Sequence, residues 1–273
     1  MPELPEVETI CRGLRDGLVD QPSILGKQFA ETHVYWPRTI QAPTVEEFIS
    51  RIQDQKIRDI SRRGKFILLH TSRETLIIHL RMSGDLFYRA DNAPAASHDR
   101  VVFKFLDGGY LVFNDTRKFG RIWLVDDVNT ILGELGPEPF DPALTGQVFY
   151  SMLQARSTQI KKLLLEQSFL AGIGNIYADE SLFLSQIHPL TNSNHIGVDS
   201  AEVLLASIRT VLQEGIRHHG ASIDWVYKGG DFQNYFRVYK RTGLPCRNCG
   251  SLIKRILISQ RSTHFCPNCQ QQK

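Results

Sequence analysis

Val7, Ile10, Cys11, Leu14 and Leu18 recur at the intervals of one helix face, which predicts a helix over residues 4–18 buried on that side. From about residue 27 to 125 the pattern changes to that of strands. The stretches 29–36, 56–61, 66–71, 75–80, 101–106, 110–113 and 120–125 are rich in β-branched and aromatic residues, which fit a pleated, half-buried surface. Asp107-Gly108-Gly109 marks a hairpin turn. Short strands at this spacing predict a sandwich or a barrel. Gly133, Gly136, Pro137, Pro139 and Pro142 then interrupt any regular element over 126–142, the pattern of a linker. The helical period returns from 143 to 219, with helices expected over 148–155, 161–169, 176–184 and 200–219. In the last, Val203, Leu204, Ile208, Val211, Leu212 and Ile216 face inward. Asn175 suits the N-cap of the third and Asp199 that of the fourth. Glycines and aromatics over 220–234 predict a loop, and no internal repeat is visible.

At 273 residues the chain exceeds the size of one hydrophobic core. No apolar run reaches the length of a membrane span. The N-terminus carries Glu3, Glu6, Glu8 and Asp16 where a secretory signal would be apolar. A cytoplasmic, membrane-free protein is expected, and without oligomer-forming heptads a monomer. The net charge of +3 hides an asymmetry: residues 240–273 hold seven Lys/Arg and no Asp/Glu. A basic end on a slightly acidic body points to a polyanion partner.

Four of the five cysteines end the chain as Cys246-x2-Cys249 and Cys266-x2-Cys269, with 16 residues between the pairs. That is the spacing of a ribbon that binds one structural zinc ion through four thiolates. Disulfides are the alternative, which a reducing cytosol disfavours. Cys11 falls in the apolar stripe and reads as a core residue. Lys254, Arg255 and Arg261 surround Ile253, Ile256 and Ile258, as in a hairpin that offers arginine to a phosphate backbone.

The first eight residues hold Pro2 and Pro5 with Glu3, Glu6 and Glu8. If Met1 is removed, Pro2 becomes a terminal secondary amine. An α-amino group has a pKa of about 7.7–8.0, so roughly a tenth of it is neutral and nucleophilic at pH 7. The neighbouring glutamates could then move protons. A plain helix start explains the same residues, with Pro5 in the first turn and acids at the positive end of the dipole. Three polar interruptions separate the strands: Arg62-Arg63-Gly64-Lys65, Arg81-Met82-Ser83-Gly84 and Asn114-Asp115-Thr116-Arg117-Lys118-Phe119-Gly120. They read either as solvated turns or as phosphate contacts, with Met82 and Phe119 as wedges into a base stack. The break Ala171-Gly172-Ile173-Gly174 before a helix start would be an anion site.

In order along the chain, these pieces resemble one family, the bacterial formamidopyrimidine-DNA glycosylases. The resemblance rests on Pro2-Glu3-Leu4-Pro5-Glu6-Val7-Glu8, Arg63-Gly64-Lys65, His79-Leu80-Arg81-Met82-Ser83-Gly84 and Asp115-Thr116-Arg117-Lys118-Phe119-Gly120. It continues through Gly172-Ile173-Gly174-Asn175-Ile176-Tyr177-Ala178-Asp179-Glu180 and the four cysteines with Gln260-Arg261 between them. The resemblance implies an α+β fold of two lobes, with DNA in the cleft between them. An N-terminal helix and β-sandwich would fill 1–127 and a linker 128–142. A helix–two-turn–helix DNA-binding domain would follow over 143–238, and a zinc ribbon over 239–273.

It also implies a bifunctional glycosylase and abasic-site lyase acting on damaged double-stranded DNA. Pro2 would attack C1′ of the damaged nucleoside, and Glu3 would protonate the leaving base and the opening sugar. Glu6 would support the sugar, Lys65 would act in β-elimination and Arg261 in δ-elimination. Asn175, Lys161 and Arg261 would grip phosphates. Met82, Arg117 and Phe119 would fill the gap left by the flipped base. His98 and Arg156 match further DNA-contacting positions. One departure is a shorter segment between Gly220 and Tyr239 than the family carries over a flipped 8-oxoguanine. Ring-opened purines are therefore the expected substrates ahead of 8-oxoguanine. An endonuclease VIII-like enzyme for oxidised pyrimidines and a non-catalytic damaged-DNA binder are the rival readings.

Overall fold

A computed structural model describes residues 1–18, 21–91, 95–222 and 229–272. The chain divides into two compact units, Met1–Glu134 with Ser222–Gly229 and Leu135–Ala221 with Gly230–Lys273.

The first unit opens with α1 (Leu4–Asp16). Glu6 accepts the backbone N–H of Glu3 at 2.8 Å, which satisfies a donor the helix start leaves over. The helix stops two residues before the predicted end, because Gly17 turns to φ 80° and its N–H returns to Gly13. Leu18, expected on the buried face, is therefore outside the helix and exposed. Cys11 is buried as expected; burial pushes its thiol up to about 12.

There follow β1 (Phe29–Val34), β2 (Ile40–Ala42), α2 (Val45–Ile52), β3 (Ile57–Arg63), β4 (Phe66–Thr71) and β5 (Thr75–His79). Then come β6 (Gly84–Arg89), β7 (Asp99–Phe105), β8 (Tyr110–Asp115), β9 (Arg121–Val125) and the single turn α3 (Asn129–Leu132). One sheet runs β1-β7-β8-β6, all antiparallel. The other runs β2-β9-β5-β4-β3, antiparallel except for β2 beside β9. Phe29, Phe103 and Phe113 of the first sheet and Ile60, Leu69 and Ile78 of the second share one buried cluster with Val7 and Leu14 of α1. That is a sandwich with a helix sealing it.

Sequence reading missed β2, α2 and β6. The signal for α2 was present: Thr44 accepts the N–H of Glu47, and Glu47 accepts that of Thr44, a capping box. β6 alternates buried and half-buried positions, but it follows directly on the polar Arg81-Met82-Ser83 stretch that hid it.

The second unit holds α4 (Gly146–Gln154), α5 (Ile160–Leu164), α6 (Asn175–Leu184) and α7 (Val198–Arg217). Both α4 and α6 pack on α7. α5 is shorter than predicted, since Leu165 and Glu166 return their N–H groups to Lys162 and Leu163 in a closing turn. Gly197 caps α7 in place of Asp199, which sits inside the first turn where its charge suits the dipole. Strands β10 (Lys254–Ile258) and β11 (Arg261–Phe265) pair antiparallel as the ribbon hairpin. Phe183, Val238, Cys246, Ile253 and Cys266 form its small buried cluster. No helix among the described residues is long and apolar enough to cross a membrane.

Candidate functional site

Pro2 is buried in the stretch leading into α1. Glu3 and Glu6 are almost wholly buried beside it. Glu3 is the N-cap residue, held extended at φ −103° and ψ −171°. Lys65 lies in the two-residue turn between β3 and β4, where Arg63 pairs with Phe66. Gly64 takes φ 55° there, the positive value that the first position of a type II′ hairpin requires. Although it sits in a turn, Lys65 is only 5% exposed. The Arg62–Glu8 ion pair at 3.1 Å ties α1 to the strand end entering that turn. Burial opposes the charge on Glu8, but Arg12 and Arg62 outweigh it and hold its carboxyl below the usual range.

His79, which sequence reading did not single out, stands behind Lys65. Its ring meets Phe66 edge-on at 4.6 Å, and its Nδ1 accepts the N–H of Arg81 at 2.9 Å. Burial, then the charges of Arg81 and Lys65, push its pKa down to about 3, so the ring is neutral beside a cation.

A second cluster gathers around Asp115 at the end of β8. Its fully buried carboxylate accepts the Ser83 hydroxyl, the Arg117 N–H at 3.1 Å and the Gly120 N–H at 2.7 Å. A Cβ on Gly120 would stand 2.2 Å from the Phe113 ring, so only glycine lets the loop return this closely. The result holds Met82 and Phe119 out at 44% and 49% exposure. Arg117 Nη1 approaches Met82 Sδ at 3.6 Å. His98 joins this rim through its carbonyl, which accepts the Asp115 N–H at 2.9 Å, and its ring contacts Arg100. Met82, Arg117, Phe119 and His98 are thus brought together. Asp115, the group that gathers them, lay inside a quoted motif but was given no role of its own.

The third cluster belongs to the second unit. Gly174, not Asn175, is the N-cap of α6. Asn175 is the first helical residue, and its side-chain amide donates to the Ser262 carbonyl at 2.9 Å. Lys161, expected to grip a phosphate, is 0% exposed. Its ammonium binds Asp179 and the Asn175 carbonyl, so it orders the helix start and presents no charge to solvent. Arg261 is exposed as the first residue of β11. The Ser259-Gln260 turn before it takes φ 47° and 65°. Such a type I′ turn favours Asn-Gly, and each non-glycine residue in it costs about 1–3 kcal/mol. Arg156 is exposed after α4, and none of the hydrogen bonds among the described residues ties it to the Asn175 cluster.

The sulfur atoms of Cys246, Cys249, Cys266 and Cys269 all lie within 4.8 Å of one another. Backbone N–H groups of Asn248 and Cys269 point at the sulfurs of Cys246 and Cys266 at 3.4 Å, as around thiolate ligands. The donor set fits one structural zinc ion and leaves no position for a reacting water. His264 lies outside this set of four, and its Nδ1 meets Asp179 at 3.0 Å.

The segment between Gly220 and Tyr239 is pinched at its base. Phe232 donates to the Gly220 carbonyl at 3.0 Å and Asp231 to the His218 carbonyl at 3.0 Å. The expected shortening falls on a stretch that includes 223–228, outside the described residues.

Residues 1–122 match the family model "Formamidopyrimidine-DNA glycosylase N-terminal domain". Residues 135–226 match its H2TH domain and 243–272 the zinc finger found in FPG and IleRS. The chain is 42% identical over 279 residues to the formamidopyrimidine-DNA glycosylase of Protochlamydia amoebophila, covering 99% of each. It is 40% identical over 278 residues to that of Streptococcus pneumoniae serotype 4, again covering 99% of each. Among solved structures, the Lactococcus lactis enzyme bound non-covalently to DNA containing an AP site aligns with a TM-score of 0.91 and 37% identity. A MutM complex with DNA carrying carbocyclic 8-oxo-G aligns with a TM-score of 0.91 and 36% identity. Each alignment covers 99% of this chain and 100% of the other.

Proposed function

The chain belongs to the formamidopyrimidine-DNA glycosylase family, and from that premise we propose that it removes oxidised purines through a Schiff base on Pro2. It is a DNA glycosylase of base repair with abasic-site lyase activity. It works as a monomer on damaged duplex DNA. Ring-opened formamidopyrimidines are its principal substrates and 8-oxoguanine a further one.

The reaction starts once Met1 is gone and the Pro2 nitrogen carries a lone pair. That nitrogen bonds to C1′ as the bond from C1′ to the damaged base breaks. Glu3 gives a proton to the departing base, takes back the N–H proton of the new ammonium and passes it to the opening sugar oxygen. A secondary amine leaves an iminium, whose positive charge acidifies the C2′ proton. Removal of that proton, assisted by Lys65, expels the 3′ phosphate. A second elimination, in which Arg261 polarises the leaving group, expels the 5′ phosphate. An always-charged guanidinium suits that role better than proton transfer. Glu6, which fixes the Glu3 backbone at 2.8 Å, supports the sugar.

Before any of this the nucleotide must leave the stack, at a cost of about a few kcal/mol. Met82, Arg117 and Phe119 fill the space it vacates, with His98 and Arg156 on flanking phosphates. Asn175 and Arg261 grip the phosphates at the lesion, and Lys161 orders Asn175 from within.

The observation that carries this reading is the burial of Pro2, Glu3, Glu6 and Lys65 in one unit, with a neutral His79 behind the lysine. Carboxylates and lysines are seldom buried unless paired, and a cluster of them beside a strongly perturbed histidine marks a candidate site. Borohydride should trap a covalent complex with an oligonucleotide containing a formamidopyrimidine or an abasic site. Pro2→Gly should lower the trapping rate by about 100-fold or more. Equal trapping by that variant would move the nucleophile elsewhere. Faster release of thymine glycol than of ring-opened guanine would replace the purine assignment with an endonuclease VIII-like one.

A further inference from the structure

Asp179 sits one helical turn after Asn175 on α6, fully buried. One of its oxygens takes the Lys161 ammonium, which also donates to the Asn175 carbonyl at 3.0 Å. The other takes two groups of a single residue on β11, the backbone N–H of His264 at 2.9 Å and its Nδ1 at 3.0 Å. A carboxylate only accepts, so Nδ1 carries the proton. Asn175 makes a separate tie to the same strand, from its amide to the Ser262 carbonyl at 2.9 Å. The strand that begins with Arg261 is thus fastened to α6 at two levels, Asn175 to Ser262 and Asp179 to His264.

The two ties differ in what DNA would do to them. An Asn175 amide that reorients to a phosphate is free to leave Ser262, because its own Oδ1 is buried with no hydrogen-bond partner to hold the side chain back. The Asp179–His264 tie is buried, the carboxylate fully so, and stays. We infer that Asp179 and His264 are positioning residues, which keep Arg261 in register with Asn175 while Asn175 is engaged by a phosphate. This rests on the proposed function, because it gives Arg261 the second elimination. A purely structural network is the competing account, since buried ion pairs are common without any such role.

Replacing Asp179 would leave Lys161 buried without its counter-charge and risks unfolding. The test therefore uses His264 in the zinc-loaded full chain. His264→Phe keeps a ring against Tyr239, which His264 meets at 5.0 Å, and removes the donor. His264→Asn keeps a donor near the Nδ1 position and loses the ring. Four quantities are read: thermal stability, affinity for a duplex with a tetrahydrofuran abasic analogue, the borohydride trapping rate, and the share of abasic product carried through the second elimination.

His264→Phe should lower that share and the duplex affinity by about tenfold, the order of one charge-assisted hydrogen bond, with trapping at saturating DNA unchanged. His264→Asn should restore both to within about twofold, even where it is the less stable protein. If both variants instead follow thermal stability, or if His264→Phe partitions like the wild type, the inference falls. If the wild type itself traps nothing, the proposed function falls, and the affinity comparison still decides whether His264 positions a phosphate grip.

Discussion

The two units hold their functional groups by different physics. In the first, 25 buried side chains among the described residues, from both sheets, α1, α2 and two connecting positions, form one cluster, and the outlying loops need only local polar ties. At the ribbon, five buried residues among those described make the cluster; two are cysteines, and Phe183 is lent by α6. Apolar burial on that scale does not offset chain entropy. What fastens Arg261 is a metal and a buried ionic network. Positions set by a large core should survive single losses, whereas positions set by a few strong contacts should fail outright when one is removed.

Metal removal is the largest break this contrast predicts. Zinc binding to such ribbons is folding free energy, about 10–16 kcal/mol in isolated fingers. Chelation, or Cys266→Ser, should therefore unfold the ribbon and lower affinity for an abasic duplex by about 100-fold or more. The β-sheet circular dichroism of the first unit should persist. Fluorescence anisotropy with a labelled duplex reads the first effect. A metal-free protein that binds within about threefold of the holo form would show that the ribbon core stands without its ion.

Within the sandwich the corresponding break is smaller. Asp115→Asn keeps the shape but swaps one accepting oxygen for a donor facing the Ser83, Arg117 or Gly120 donors. Losing charged hydrogen bonds of this kind costs about 1.5–3 kcal/mol each, partly recovered by rearrangement. We expect about 2 kcal/mol of lost stability in urea unfolding. Excision from duplex DNA should fall by about tenfold, because Met82, Arg117 and Phe119 lose their fixed places. Zinc content should not change. Unimpaired excision with the same loss of stability would mean the loop is a scaffold feature only.

How far the sequence could be read follows the same division. The four cysteines announce their chemistry because metal ligation depends on residue type and spacing, whereas the first eight residues read equally as a plain helix start and take a chemical role only from the resemblance. The sandwich was legible from its aromatic and β-branched runs. α2 was overlooked although Val45, Phe48, Ile49 and Ile52 fall on one helix face and the Thr44–Glu47 box marks its start; at eight residues the run is short enough to pass for a connection between strands. The burial of Lys161 was illegible for a different reason. Its phosphate role came from the resemblance alone, and nothing local shows that Asp179, 18 positions later, takes its ammonium. The roles of Asp115 and Asp179 were invisible for the same reason: a carboxylate's partners are set by tertiary fold, whereas a ligand cysteine's are near in sequence.

Two buried histidines bring the contrast down to single residues, and the smallest predicted effect lies there. His264 faces a carboxylate. His79 faces Arg81 and Lys65, and burial followed by those two charges holds its pKa near 3, against 6.5 for the free side chain. The unfolded chain therefore binds a proton at this residue below about pH 6.5, while the folded chain refuses it down to about 3. The unfolded state holds more protons in that window, so stability rises with pH there. The His79 contribution is complete above about 6.5 and is lost progressively as pH falls toward 3. Its limiting slope is about 1.4 kcal/mol per pH unit. His79→Asn keeps an acceptor for the Arg81 N–H and removes the titration. Urea unfolding of the zinc-loaded protein between pH 6.5 and 5 should then show a shallower acid loss in the variant, by close to one proton's worth. Equal slopes would mean that the folded protein accepts the proton after all, and that the ring beside Lys65 is not kept neutral by the sandwich.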